Sequence, residues 1–301
     1  MREPPSDVTE AEVLDVLRNH WGLDAGSLVH LPVGCGAHHW RATGSTHDWF
    51  VTLDALLPRH TAVTLEAAYA GAATLAAGGL EFVLSGRPAI GGAFTAPFAG
   101  HAVSVTPWRD GSPGDGSMTV GRATATRGWL DRLHAAAPPP GLSRWRPLVE
   151  ADLGDELATR TQRPGRDGPH GEQARTALGA RLREIEAWVE AYHRLAADTD
   201  ERTWVATHGE PHTRNQLDTP DGTLLVDWES LKLAPRERDL RTLVEAGHLQ
   251  PDADQAMLTM FDLEWRLDEI RQYADWFAGP HADTEDDRIA LGGLLFELER
   301  A

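Results

Sequence analysis

Hydrophobic and polar positions in the first hundred residues follow two periods in turn. Val13, Leu14, Val16 and Leu17 share one side of a helix expected from Glu10 to His20. After Trp21 and Gly22 the pattern becomes that of strands: Leu28 to Pro32, a glycine turn through Gly34, Cys35 and Gly36, then His39 to Thr43 and Trp49 to Leu53. An Ala-rich helix, Thr61 to Ala77, stops at Gly78 and Gly79, and strands are expected at Glu81 to Leu84 and Ala102 to Pro107. From Asp110 onward the pattern is helical. It predicts a helix from Val120 to Ala136 and a long amphipathic one carrying Leu178, Leu182, Ile185 and Val189. A further helix, Phe261 to Phe277, places Leu263, Leu267, Ile270, Ala274 and Phe277 in one stripe, with Glu264, Asp268 and Asp275 opposite. Residues 138–141 and 163–171, rich in Pro and Gly, read as surface loops. Only Thr203 to Asp227 breaks the helical run, with polar loops and a hairpin around Pro220, Asp221 and Gly222. Strands first and helices after is an α+β signature with two segregated lobes.

Composition narrows the function classes. The chain of 301 residues is 41% hydrophobic and 25% charged, an ordinary soluble profile. With 46 Asp and Glu against 28 Lys and Arg the formal charge is −18, so no basic patch offsets a phosphate backbone and nucleic acid is excluded as a partner. No run of about 18 apolar residues is present, and the acidic, Pro-containing start differs from a signal peptide; a cytoplasmic protein without membrane contact is expected. A single cysteine, Cys35, rules out an intrachain disulfide and a Cys-based zinc site. All but one of the basic residues are arginine, so any chemistry that needs a lysine must use Lys232 or do without.

The chemistry concentrates in THGEPHTRNQLDTPDGTLLVDWE, Thr207 to Glu229. His208, Glu210, His212 and Asn215 cluster in a loop, and the apolar strand Leu224 to Val226 ends on Asp227. A carboxylate and a carboxamide five residues apart, followed by a carboxylate at a strand end, suit Mg²⁺, which takes one or two protein oxygens and fills its shell with water and phosphate.

This segment resembles the catalytic loop of the protein-kinase-like fold. In the form His-Gly-acid, a His two residues after the acid and then Asp-Trp-Glu, it is similar to the aminoglycoside phosphotransferase family, and within it to spectinomycin-phosphotransferase-like members, with HGEPH, LVDWE and APRERDL as the matching stretches. The resemblance implies a small β-rich N-terminal lobe, residues 1–107, and a larger, mainly helical lobe, residues 108–301, with the catalytic loop, metal site and acceptor cleft. Carried across, Glu210 takes the place of the catalytic Asp, Asn215 and Asp227 match the Mg²⁺ ligands, and His208 is the structural His of the loop. His212 fits a structural role better than a chemical one. Glu229 would orient metal waters or an acceptor amine, and Asp239 would hold the catalytic loop. His134 reads as a structural helix residue.

Two departures stand out. The acid is Glu, one methylene longer than Asp, and a misplacement of about 1 Å costs on the order of 100-fold in rate; a backbone shift at Pro211 would absorb it. The family's third-strand lysine, which holds the α- and β-phosphates, is replaced by Thr52, so Glu66 on the following helix lacks its lysine partner. His38, His39, Arg41 and Arg59 are the candidates for a relocated cation, with His39 and Arg41 foremost, beside the glycine turn of Gly34 and Gly36. Backbone at Thr106 and Trp108 would meet the nucleotide base. On the acceptor side, Asp252 to Ala301 holds 13 Asp and Glu against four Arg. Its acidic helix face, with Glu264, Asp268 and the neighbouring Trp265 and Trp276, would attract a cationic acceptor. The reading that follows is an ATP- or GTP- and Mg²⁺-dependent O-phosphotransferase acting on a hydroxyl of a small cationic natural product, as a resistance or biosynthetic step. The alternatives are a kinase-like binding module without phosphotransfer and the same fold transferring another group.

Overall fold

Thr9 starts the first helix through a reciprocal cap: its hydroxyl accepts from Glu12 N, and the Glu12 carboxylate accepts from Thr9 N at 2.9 Å. In the computed structural model, described over residues 3–5, 7–34, 36–57, 60–162 and 168–300, α1 (Glu10–Val16) runs into a π-helical turn, Leu17–Trp21, that ends on left-handed Gly22. Cys35, Arg59 and residues 163–167 of an expected loop lie outside the described residues. In chain order come β1 (Ala25–Leu31), β2 (Ala37–Gly44), β3 (Asp48–Ala55), α2 (Ala62–Ala77), β4 (Thr95–Phe98), β5 (His101–Pro107), the short β6 (Ser112–Pro113) and α3 (Val120–Ala135). Three helices follow, α4 (Leu153–Thr161), α5 (Gly171–Ala180) and α6 (Leu182–Ala197). The chain then gives β7 (Val205–Thr207), β8 (Gln216–Thr219), β9 (Gly222–Leu225), β10 (Lys232–Ala234) and α7 (Glu237–Glu245), and ends with α8 (Gln255–Ala278) and α9 (Glu285–Glu299).

The architecture is the expected α+β one, with β4 and β10 as strands the sequence pattern did not show, and two expected elements differ. Residues 81–84 make only one bridge, Val83 to Leu225, in place of a strand. The amphipathic pattern through Leu178 and Leu182 spans two helices, because Arg181, at φ −119°, breaks the backbone between α5 and α6 while the apolar spacing continues.

The chain divides into two compact units, Met1–Trp145 with Glu201–Pro251, and Arg146–Asp200 with Asp252–Ala301. The first holds a five-stranded antiparallel sheet in the order β1-β2-β3-β5-β4. One face buries Trp40, Val51, Leu53, Val103 and Val105 together with Val13, Leu17 and Trp21. The other face is more polar. Register sets His39, Thr52 and Ser104 in one row across it and Ala37, Asp54 and Ala102 in the next. Over this face lies α2, started by the Thr61 cap and contributing Leu65 and Tyr69 to a cluster with Ala102. Gly71 brings α2 close to its neighbours: a Cβ there would meet Leu142 Cδ2 at 2.6 Å and Leu231 Cδ2 at 3.0 Å.

The second unit is helical. Ile185, Val189 and Tyr192 of α6 are buried, as are Met260, Leu267 and Ile270 of α8 and Leu294 of α9. Between Met257 and Ile270 the α8 helix is buried on nearly every side, with Glu264, Arg266 and Asp268 included. Among the described residues no helix is long and apolar enough to cross a membrane.

Gly71→Val overpacks the α2 contact and is expected to cost about 1–3 kcal/mol. Gly128→Ala, at a mid-helix position of α3 with open space around its Cβ, is expected to stabilise by about 0.5–1 kcal/mol. Urea melts of both variants against the parent check the pair.

Candidate active site

The loop after β7 is organised by one buried carboxylate. Asp239, in the first turn of α7, accepts from Gly209 N at 2.6 Å on Oδ1 and from His208 N at 3.1 Å on Oδ2, and His134 Nε2 lies 2.9 Å from that same Oδ2. Burial pushes the Asp239 pKa up, but the His134 hydrogen bond and the charges of His134 and Arg238 outweigh it, and the net shift is downward. His208 carries the next link. Its Nδ1 accepts from Glu210 N at 3.2 Å, which leaves Nε2 as the donor to Val226 O at 2.8 Å. Burial lowers the pKa of this ring despite the nearby Asp239, so the neutral tautomer persists. Gly209 has φ +100°, and a Cβ there would sit 2.2 Å from the Arg238 guanidinium, which itself donates to Thr207 Oγ1 at 3.0 Å. The left-handed backbone there favours glycine, and a side chain would also displace the Arg238 guanidinium.

The β8–β9 hairpin then brings two oxygen donors together. Gln216 pairs with Leu225, so Asn215 and Val226 flank the open end of the hairpin, and Val226 N donates to Asn215 O at 2.9 Å. The Asn215 amide nitrogen donates to Glu210 O at 3.0 Å, which leaves the side-chain oxygen as the end available to a cation. Asp227 is solvent-accessible and left-handed, at φ 68° and ψ 60°, a conformation that costs a non-glycine residue of order 1–3 kcal/mol. One carboxamide oxygen and one carboxylate, hard donors at a strand end, fit Mg²⁺ completed by water and phosphate. Glu210 is half-buried, with its Oε2 3.8 Å from His212 Nε2. The backbone beside it is held by Gln216, whose amide donates to Pro211 O and to Thr126 Oγ1, both at 2.9 Å. The structure thus brings Glu210, His208, His212, Asn215 and Asp227 into one loop-and-hairpin assembly.

On the polar face of the sheet neither His39 nor Arg41 serves as the expected relocated cation. Thr52 is buried, and its hydroxyl lies 3.2 Å from His39 Nδ1. The His39 ring packs 5.0 Å from Phe50, and its Nε2 lies 3.0 Å from where a Gly34 Cβ would be, so left-handed Gly34 sits close against it. Burial lowers the His39 pKa to about 4, against the pull of the Glu229 charge. His39 is therefore neutral at pH 7 and supplies no cation. Arg41 is committed elsewhere: Nε donates to Asp48 at 2.8 Å and the guanidinium sits 4.4 Å over the Trp108 ring. Glu66 accepts from Phe94 N at 2.9 Å, from Thr95 N at 2.8 Å and from Thr95 Oγ1 at 2.7 Å, so it ties α2 to β4 and faces no strand cation.

Two more expectations are corrected. Trp108 N donates to Asp48 O at 3.0 Å, so this amide is not open to a base, and Thr106 pairs in register with Phe50. Glu264 and Asp268 do not line an open acidic face: both are buried, Glu264 accepting from Tyr192 Oη and Asp268 from Arg271 at 2.6 Å and Gln272 at 2.8 Å. Neighbouring Trp265 is partly buried, and Trp276 donates to Asp287 at 2.8 Å. Of the acidic trio only Asp275 is exposed, paired with Arg160 and Arg271.

Residues missed in the sequence complete the site. Asp54 is 2% exposed and accepts from Tyr69 Oη at 3.0 Å, and its own carboxyl shares a hydrogen bond with Glu229. His60 Nε2 lies 3.7 Å from Glu229 Oε1. Asp54 had a signal, since it lies two residues beyond Thr52 and strand alternation puts both on one face. Tyr69, Gln216 and Arg238 had none.

No family model matches the chain. Protein StrN of Streptomyces griseus is 38% identical over 81 residues, a match that takes in 27% of this chain and spans 25% of the length of StrN. Among solved structures, spectinomycin phosphotransferase in complex with ADP and spectinomycin superposes with a TM-score of 0.75 at 14% identity, covering 96% of this chain and 94% of that one. The microcompartment-associated aminopropanol kinase gives 0.60 at 14% identity, covering 96% and 95%. A thermostable aminoglycoside phosphotransferase variant in a ternary complex with AMP-PNP and hygromycin B gives 0.56 at 12% identity, covering 95% and 97%. At these identities the likeness shows the fold: the chain has the α+β, protein-kinase-like fold that its catalytic segment implied.

Two outcomes are expected from the site's buried groups. Removing the Asp239 carboxylate leaves two buried amides and His134 without their acceptor, so Asp239→Ala is expected to cost about 3–5 kcal/mol in a denaturant melt. Below pH 6.5 an unfolded His39 gains a proton that the folded one refuses until about pH 4. Stability contributed by neutral His39 is complete above pH 6.5 and is lost as pH falls through that window, by at most ~1.4 kcal/mol per pH unit. Melts of His39→Gln from pH 7 to 4 are expected to show a shallower decline than the parent.

Proposed function

We propose that the chain is a small-molecule O-phosphotransferase that moves the γ-phosphoryl group of ATP or GTP, with Mg²⁺, to a hydroxyl of a small, amine-bearing natural product of the aminoglycoside or aminocyclitol kind, in a resistance or biosynthetic step. The observation that supports the reading is the bonding of Asn215 to Val226, the residue before Asp227, and to the Glu210 backbone, which His208 also holds. Folds of the same kind in solved structures hold ADP with spectinomycin and AMP-PNP with hygromycin B.

The acceptor hydroxyl would lose its proton to the Glu210 carboxylate as its oxygen bonds to the γ-phosphorus. The bond from that phosphorus to the β–γ bridging oxygen breaks, and a nucleoside diphosphate leaves. Mg²⁺ on Asn215 and Asp227 would neutralise charge on the phosphate oxygens. Glu210 reaches further than an Asp, and the bonds to Pro211 O and Glu210 N hold the backbone from which that longer side chain extends. A net charge of −18 favours encounter with a cationic acceptor.

One observation favours a second reading, a binding module without phosphotransfer. The strand face that in a kinase presents lysine to the phosphates carries Thr52 and Asp54 here, with His39 neutral beside them.

A thermal-shift series with ATP and GTP, each with and without millimolar Mg²⁺, separates the two. The phosphotransferase reading expects stabilisation that requires Mg²⁺; a melting point unmoved by either nucleotide sinks it. Asp227→Ala is expected to abolish turnover, and Glu210→Gln to lower kcat by about 100-fold or more if Glu210 is the base. Unchanged kcat in the Gln variant removes that role from Glu210.

A further inference from the structure

The stretch between β5 and α3, rich in Gly and Ser, is bound along its length to the β8–β9 hairpin. As β6 it pairs antiparallel with β8, Ser112 opposite Asp218 and Pro113 opposite Leu217, and adds a third strand there. One residue further, Gly114 N donates to Thr213 O and to Gln216 O, both at 3.1 Å. Those two carbonyls stand on either side of Asn215 in the chain. The approach is close: a Cβ on Gly114 would sit 2.5 Å from Thr213 O and 2.8 Å from Thr213 Cβ. Gly111 lies as near to the other end of β8, where a Cβ would sit 2.5 Å from Asp218 O. Neither glycine is left-handed, so both positions demand space rather than backbone freedom. All of these residues belong to the first compact unit.

The same end of β8 is held from α3 as well. Gln216 is fully buried, and its Oε1 accepts from Arg122 Nη1 while its Nε2 donates to Thr126 Oγ1, both at 2.9 Å. Arg122 also pairs with Asp218, which accepts from Thr223 Oγ1 at 2.7 Å. Opposite β6, Val226 N donates to Asn215 O at 2.9 Å. The Asn215 backbone is thus gripped by the hairpin on one side and by Gly114 on the other. We infer that Gly114 is a positioning residue for Asn215: its N–H, carried in on a strand with no side chain at that point, pins the turn that presents the carboxamide. The grip uses neutral backbone groups alone, so it involves no proton and no charge. Because Asn215 donates to Glu210 O at 3.0 Å, a turn that slips also loosens the loop beside it. With only two protein oxygens in the candidate site, misplacing one of them falls first on the affinity for the cation.

The consequence for Mg²⁺ rests on the phosphotransferase reading; the grip on the turn does not, and the experiment reads the two apart. Amide exchange is followed by NMR on the full chain. Without ligand, the Gly114 amide of the parent is expected to exchange at least about tenfold more slowly than an unstructured glycine. Exchange at the unstructured rate overturns the grip. Mg²⁺ added with ADP is expected to slow the Gly114 and Val226 amides together by about tenfold relative to ADP alone, since an ion on Asn215 steadies both of its neighbours. Slowing at Val226 with Gly114 unmoved overturns the positioning role without recourse to a variant. Gly114→Ala and Gly111→Ala then form a matched pair, because each drives a methyl group to 2.5 Å from a backbone oxygen of the same segment and only the first does so beside Asn215. Both are expected to lower the urea midpoint. Calorimetric titration of Mg²⁺ into protein saturated with ADP is expected to show affinity weakened by about tenfold in Gly114→Ala and kept within about threefold of the parent in Gly111→Ala. In turnover, Gly114→Ala should need about tenfold more Mg²⁺ for half-maximal rate, while KM for the nucleotide at saturating Mg²⁺ stays within about threefold. Equal losses of Mg²⁺ affinity in the two variants leave Gly114 a packing role only and overturn the inference. If Mg²⁺ with ADP moves neither the melting point nor any amide of the parent, the phosphotransferase reading falls, and the role toward the ion falls with it. The ligand-free rate at Gly114 still decides the grip.

Discussion

A carboxylate sealed from water must find donors or give up its charge, and Asp239 finds three, from Gly209, His208 and His134. Everything at the site hangs from that choice. The two backbone bonds fix the chain at 208–209, which aims the His208 ring at Val226, and Val226 is bonded to Asn215. One buried charge thereby sets the relative position of Glu210, Asn215 and Asp227, although its own side chain reaches none of them. The lowered pKa of Asp239 is the energetic trace of this arrangement, because His134 and Arg238 stabilise the ionised form by more than burial penalises it.

The acidic character of the chain takes on a different meaning at close range. Read as a face, the charges of the last fifty residues suggested a docking surface for a cation. In the structure Glu264 and Asp268 are enclosed among helices, each with donors in its own unit, and act as polar struts in an otherwise apolar layer. Acidity near the loop and hairpin comes instead from Asp54 of β3 and from Asp227 and Glu229 just after the hairpin.

What was legible in the sequence and what was not divides along chain distance. His208, Glu210, Asn215 and Asp227 sit within twenty residues, on a loop and a hairpin whose turn is written in Pro220, Asp221 and Gly222, so local spacing was enough to group them. The strand alternation of β3 and the Thr61 cap of α2 were equally local. The partnership of Asp54, Tyr69 and Glu229 depends on sheet register and on how α2 crosses the sheet, and no local pattern carries either. Apolar spacing also runs unbroken through Arg181, where the helix does not, because periodicity reports which side of the chain is buried and is silent on whether the backbone bends. For α8 the stripe was read correctly, but its flanks are buried as well at Glu264 and Asp268, so only Asp275 of the expected polar face is open.

Gly209 and Arg238 occupy a single space. The guanidinium fills the volume that any side chain at 209 would claim, and the left-handed backbone at 209 is what lets the guanidinium lie there and reach Thr207. Each position therefore bears on the other. A chain that replaces the glycine must first shorten or redirect the residue at 238, and one that shortens 238 leaves a hole over the loop and Thr207 without its donor. In the history of such sequences these two sites, twenty-nine residues apart, are expected to change as one character.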